Sequence, residues 1–158
     1  MAGVLAELNE LIEHDFNDDK FITLFFGIFD PGTRKLNYAS AGHDPPMMIY
    51  RAQQDQFIYL ESTGLPLGMF NGMEYQQRQT DTLQNGDILL LMSDGIDEAL
   101  SPDNQQFGKD RVIDFVRAHK HLTPAVLIEQ LTDEVFRFSR DAEQNDDITL
   151  VCLKVDDS

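Results

Sequence analysis

The chain has 158 residues, with 28 acidic side chains against 12 basic ones and a formal net charge of −16. At 42% hydrophobic and 25% charged, it has the composition of one ordinary globular domain, long enough to build a core without covalent staples. The charge excludes a nucleic-acid binder and a polybasic membrane-surface protein, because both meet phosphate with Lys and Arg.

Residues 4–16 read as an amphipathic helix, with Val4, Leu5, Leu8, Leu11 and Ile12 at helical spacing and Glu7, Glu10 and Glu13 opposite. Met1–Leu11 lacks the basic and apolar regions of a signal peptide, and no stretch approaches the roughly 18–20 apolar residues of a membrane span. The cytoplasm is the expected compartment. Asp15, Asn17, Asp18 and Asp19 do not make an EF-hand, since Lys20 and Phe26 stand where its Gly and Glu belong. Phe21–Phe29 reads as a strand, Asp30-Pro31-Gly32-Thr33 as a turn, and Leu36–Ala41 as the strand pairing back. Gly42–Pro46 reads as a loop before extended Met47–Tyr50. A polar turn at Arg51–Gln56 leads to a short strand, Phe57–Leu60. Gly64–Gly72 is a loop and Glu74–Thr80 an edge strand.

Asn85-Gly86 turns the chain into Asp87–Met92, whose short apolar run reads as a central strand. Helices are expected over Lys109–His119 and from Thr123 (N-cap) and Pro124 to about Ser139. Ile148–Val155 is the last strand. Its Cys152, the single cysteine, excludes an internal disulfide or a cysteine zinc cage and reads as a small buried hydrophobe in a reducing compartment. Antiparallel-looking strands, then helices, then a strand describe one α+β domain over residues 1–158.

Acids stand where two strands end: Asp94 follows the apolar strand, and Asp146 and Asp147 precede the last one. If those strands are antiparallel neighbours, the carboxylates converge at one rim. There, like charges raise each other's pKa unless a cation neutralises them. Mg²⁺ and Mn²⁺ favour such oxygen donors. The plainer reading is that Asp94 opens a turn and Asp146 caps a loop.

The surrounding words form a series: Ala41-Gly42-His43-Asp44-Pro45-Pro46, Gly64-Leu65-Pro66-Leu67-Gly68, Asn85 to Ala99 with Ser93-Asp94-Gly95 at its centre, Phe107-Gly108, and Asn145-Asp146-Asp147-Ile148-Thr149-Leu150. In order and separation they resemble the metal-dependent protein Ser/Thr phosphatases (the PPM family), in their bacterial SpoIIE/RsbU-like sporulation and stress-response branch. The resemblance runs from about residue 4 to residue 155.

It implies an αββα sandwich of mainly antiparallel sheets with a metal cluster at one rim. Two Mn²⁺ or Mg²⁺ ions there lower the pKa of a water that attacks phosphoserine or phosphothreonine in line. Asp94 and Asp146 match the family's metal-binding aspartates, with Asp147 as an auxiliary ligand. An upstream Gly-Asp word, whose aspartate bridges both ions in the family, is not found in the sequence. The resemblance therefore implies the later part of a domain, with its N-terminal strands missing, open sheet edges and weak or no turnover alone. Such edges invite a homodimer or a covering by a rearranged segment. The implied partners are a phosphorylated anti-anti-sigma (STAS-type) protein as substrate and an upstream sensor or receiver domain. A non-catalytic partner-binding module of the same fold is the competing reading.

His43 is a candidate catalytic group because His titrates near neutrality, against the plainer reading of a hydrogen-bonded loop histidine. Asp97 and Glu98 either tune the rim or are exposed turn acids. His119 and His121 suit a helix C-terminus, and Ser93 lacks a nucleophile-elbow context.

Overall fold

A computed structural model describes residues 1–15, 20–43, 47–140 and 146–156. Expectations for 16–19, 44–46, 141–145 and 157–158, including part of the His43 loop word and Asn145, lie outside the described residues. The chain divides into two compact units, Met1–Asp44 with Glu61–Leu83, and Pro45–Leu60 with Gln84–Ser158.

The first unit is helix α1 (Ala2–Asp15) and a sheet ordered β1 (Leu24–Asp30), β2 (Lys35–Ala41), β5 (Arg78–Gln79), antiparallel throughout. Asp30 closes the β1–β2 hairpin: its Oδ1 accepts from the N–H of Gly32 (2.8 Å) and Thr33 (3.3 Å), and its Oδ2 from the Thr33 hydroxyl (2.9 Å). Those bonds, the Thr33 hydroxyl first, hold its carboxyl below the ordinary value. α1 buries Leu5 against Ala39, Ala41, Leu67 and Tyr75. The strand expected at Phe21–Phe29 starts only at Leu24, because Ile22 leaves β1 to exchange two backbone bonds with Leu67 (3.0 and 2.8 Å). The expected edge strand Glu74–Thr80 shrinks to Arg78–Gln79, since Gln76 bonds instead to Thr63.

The second unit holds a four-stranded antiparallel sheet ordered β4 (Gln56–Tyr59), β3 (Met47–Arg51), β6 (Ile88–Met92), β7 (Leu150–Lys154). Alternate residues Met48, Tyr50, Ile88, Leu90 and Met92 face α3 (Gly108–His119) and α4 (Pro124–Phe138). The helices answer with Val112 and Val116, and with Leu127, Leu131 and Val135 at four-residue spacing. On the other face of β3 and β6, Met47, Ile49 and Leu89 are buried too, which is why these strands read as continuous apolar runs.

Buried Asp87 ties the end of β3 to the start of β6, accepting from the N–H of Ala52 and Gln84 (both 2.8 Å) and pairing with Arg51 (3.3 Å). Thr123 occupies the N-cap of α4 in extended conformation, yet its hydroxyl makes no cap bond; its carbonyl accepts from the Leu127 N–H (2.9 Å). A short helix, α2 (Asp94–Asp97), follows β6 where the sequence suggested a turn.

Candidate metal centre

β6 and β7 are antiparallel neighbours with Met92 opposite Leu150. The end of one therefore meets the beginning of the other, and Asp94 and the Asp146-Asp147 pair stand at that one rim of the sheet. Ser93 locks the junction. Its N–H donates to the Thr149 carbonyl (3.0 Å), its hydroxyl donates to the Asp147 carbonyl (2.9 Å), and its Oγ accepts from the Thr149 N–H (2.9 Å). A serine at an N-cap normally serves its own helix. Here the Oγ is taken by the neighbouring strand, and α2 carries no side-chain cap.

Gly95 brings the two segments closer still. A Cβ there would lie 2.5 Å from the Asp147 carbonyl oxygen and 3.4 Å from that of Asp146. Only a residue without a side chain lets the 146–147 backbone press against α2. Asp94, Asp146 and Asp147 are solvent-exposed, and Asp146 Oδ1 accepts from the N–H of Asp147 (2.7 Å).

Asp97, on the same turn as Asp94, is half-buried. Its Oδ1 is buried without a hydrogen-bond partner. Burial first, with Glu98 and Asp94 adding to it, pushes its pKa up against the pull of Lys109. Among the described residues no three His, Cys, Asp or Glu side chains form a group ready to hold a metal. The donors nonetheless fit a hard dication in kind: carboxylate oxygens at a rim, and on the turn that carries Asp94 an acidic oxygen buried without a partner. Such ions often take one or two protein carboxylates and keep their waters.

A cavity of about 610 Å³, overlooked in the sequence, opens beside Asp147 between Ile128, Thr132 and Phe136 of α4 and the segment from Ile148 to Leu150. His43 belongs to the first unit. It is half-buried, its Nδ1 is 3.5 Å from the Thr23 hydroxyl, and its carbonyl accepts from the Ser40 hydroxyl (3.3 Å). His119 ends α3 stacked on Phe115, with Nδ1 2.9 Å from the Phe115 carbonyl. Cys152 is half-buried rather than fully enclosed, and burial pushes its thiol up to about 11, away from nucleophilic use. No helix among the described residues is long and apolar enough to cross a membrane.

The family model for stage II sporulation protein E (SpoIIE) matches residues 1–156, running through both units. Phosphoserine phosphatase RsbU of Bacillus subtilis is 30% identical over 154 residues, covering 97% of this chain and 44% of RsbU. Among solved structures, the SiaA-PP2C domain of Pseudomonas aeruginosa matches with a TM-score of 0.79 at 20% identity, over 98% of this chain and 61% of that one. The Mn-presoaked phosphatase domain of the cell-fate determinant SpoIIE from B. subtilis matches with a TM-score of 0.64 at 25% identity, over 99% and 66% respectively. The chain thus spans less than half of RsbU and under two thirds of either solved chain. With antiparallel sheets, flanking helices and a family match along nearly its whole length, this chain belongs to the SpoIIE family of PP2C-type phosphatase domains.

Proposed function

We propose that the chain carries part of the catalytic rim of a Mn²⁺- or Mg²⁺-dependent phosphatase that removes phosphate from serine or threonine of a regulatory protein. The observation that carries this reading is the junction of β6 and β7, where Ser93 and Gly95 hold the Asp146-Asp147 segment beside Asp94. Asp94 and Asp146 would hold the cation, with Asp147 auxiliary. When bound, such an ion supplies Lewis-acid activation of water and offsets charge on the transferred phosphoryl group. The protein's own part is positioning. Ser93 fixes the spacing of the two acidic segments, Gly95 admits the closer one, and Asp97 sits behind Asp94 as a second negative group. The open cavity beside Asp147 offers Ile128 and Phe136 to side chains flanking a phosphorylated residue.

RsbU and its stress-response relatives suggest the finer identity: a phosphorylated anti-anti-sigma protein as substrate, in the cytoplasm, under control of a sensor or receiver domain. The absence of a three-ligand group among the described residues favours low turnover by this chain alone. It is also the observation that favours the competing reading, a partner-binding module without catalysis. Mn²⁺-dependent release of phosphate from a phosphoserine protein tests both, comparing this chain with one extended to the full length of the solved relatives. The extended chain is expected to turn over, and Asp94→Asn in it to reduce kcat by about ten- to a hundredfold, the loss seen even when only a ligand's support is removed. Unchanged turnover in Asp94→Asn rules out this rim as the active centre, and none in any extended form leaves the binding module.

A further inference from the structure

Asn9 lies on the buried side of α1 with no exposed surface. Its Nδ2 donates to the Phe70 carbonyl (2.9 Å), and its Oδ1 accepts from the Gly68 N–H (2.9 Å) and the Tyr75 hydroxyl (3.2 Å). A polar group in an apolar core is tolerated only while its bonds stand. A shift of α1 would leave three partners unpaired together. The helix and the 68–75 segment therefore keep one another in place.

Two routes lead from this latch to His43. Along the first, the Tyr75 ring packs on Gly64 so closely that a Cβ there would lie 2.5 Å from ring carbon Cδ1. The Gly64 carbonyl accepts from the Gly42 N–H (2.8 Å), one residue before His43. Gly42 has φ +63°, and a Cβ on it would collide with the Pro66 ring at 2.3 Å. Along the second, Leu67 adjoins Gly68 and exchanges both backbone bonds with Ile22. Thr23, the next residue, puts its hydroxyl 3.5 Å from His43 Nδ1. Most links are backbone bonds or glycines packed to contact, so little displacement is absorbed on the way.

We propose that Asn9 is a positioning residue for His43, passing the seat of α1 to the His43 ring through Tyr75, Gly64 and Gly42 and through Leu67, Ile22 and Thr23. The device lies wholly in the first unit and contains none of the proposed metal ligands, so it stands or falls separately from the phosphatase reading. Asn9→Leu removes the amide while keeping the number and branching of side-chain heavy atoms. It is expected to speed hydrogen exchange of the Gly42 amide by about tenfold or more and to move the His43 ring resonances, with Leu89 and Leu91 amides in β6 unchanged. Tyr75→Phe deletes one hydroxyl and keeps the ring. It is expected to move the same His43 resonances in the same direction by less, and it decides the matter if Asn9→Leu does not fold. A latch that merely staples α1 would speed exchange across the first unit while leaving the His43 resonances of the folded state in place. Wild-type behaviour of Gly42 and His43 in the folded variants would overturn the proposal.

Discussion

At Gly95 a single hydrogen in place of a side chain decides how near two acidic segments come. Gly95→Ala forces the Asp147 carbonyl, 2.5 Å from the new methyl, to retreat. Overpacking of this kind costs about 1–3 kcal/mol. Gly95→Ala should lower Tm in thermal denaturation and weaken Mn²⁺ binding in calorimetry. Asp87 is the most consequential buried charge. Asp87→Ala removes the acceptor of the Ala52 and Gln84 N–H groups and the carboxylate paired with Arg51. Breaking a buried pair from one side costs about 3–5 kcal/mol, readable in urea unfolding. Asp30 carries the pH dependence of its hairpin. Its folded pKa lies below the ordinary 3.8, so its contribution is present above that value and lost as pH falls through the folded one. Tm should therefore fall less steeply below about pH 4 in Asp30→Asn than in the native chain. The position of Asp94 and Asp146 at strand ends was legible at this scale because acids there stand out from apolar runs. The double role of Ser93 was not, since it exists only once the β6–β7 register brings Thr149 opposite.

Among the elements, β6 was the most legible, because a strand buried on both faces leaves an unbroken run of Ile, Leu and Met. Leu90 lies in the middle of that run against the helices, and Leu90→Ala should cost about 2–5 kcal/mol in denaturant unfolding. α4 was legible from Thr123 at the N-cap position and Pro124 at the first helical position. α2 was not: four residues including a glycine have no local drive to helix, and its place is imposed by the strand end and the 146–147 segment. β5 was overextended for a related reason. Its polar residues permit an edge strand, but only Arg78 and Gln79 enter the ladder with β2, with Thr80 bonded to Leu36 just beyond them.

For the whole molecule, local pattern gave strands and helices but not their partners. β3 pairs with β6 across more than thirty residues of intervening sequence, a long-range choice set by packing rather than by either strand alone. The antiparallel β6–β7 neighbourhood entered the sequence reading only as a condition for the acids to converge, and the sheet order meets that condition. The cavity beside Asp147 was invisible because it belongs to two elements at once. The central claim is that this junction gathers carboxylates onto one dication. Titration of the ¹⁵N-labelled chain with Mn²⁺ tests it most directly, because the paramagnetic ion broadens only nearby amides. Selective broadening over Asp94–Asp97 and Asp146–Ile148 at low Mn²⁺, lost in Asp94→Asn, is the predicted result. Broadening that starts instead at Glu7, Glu10 and Glu13 of α1, or spreads evenly over the acidic surface, would contradict it.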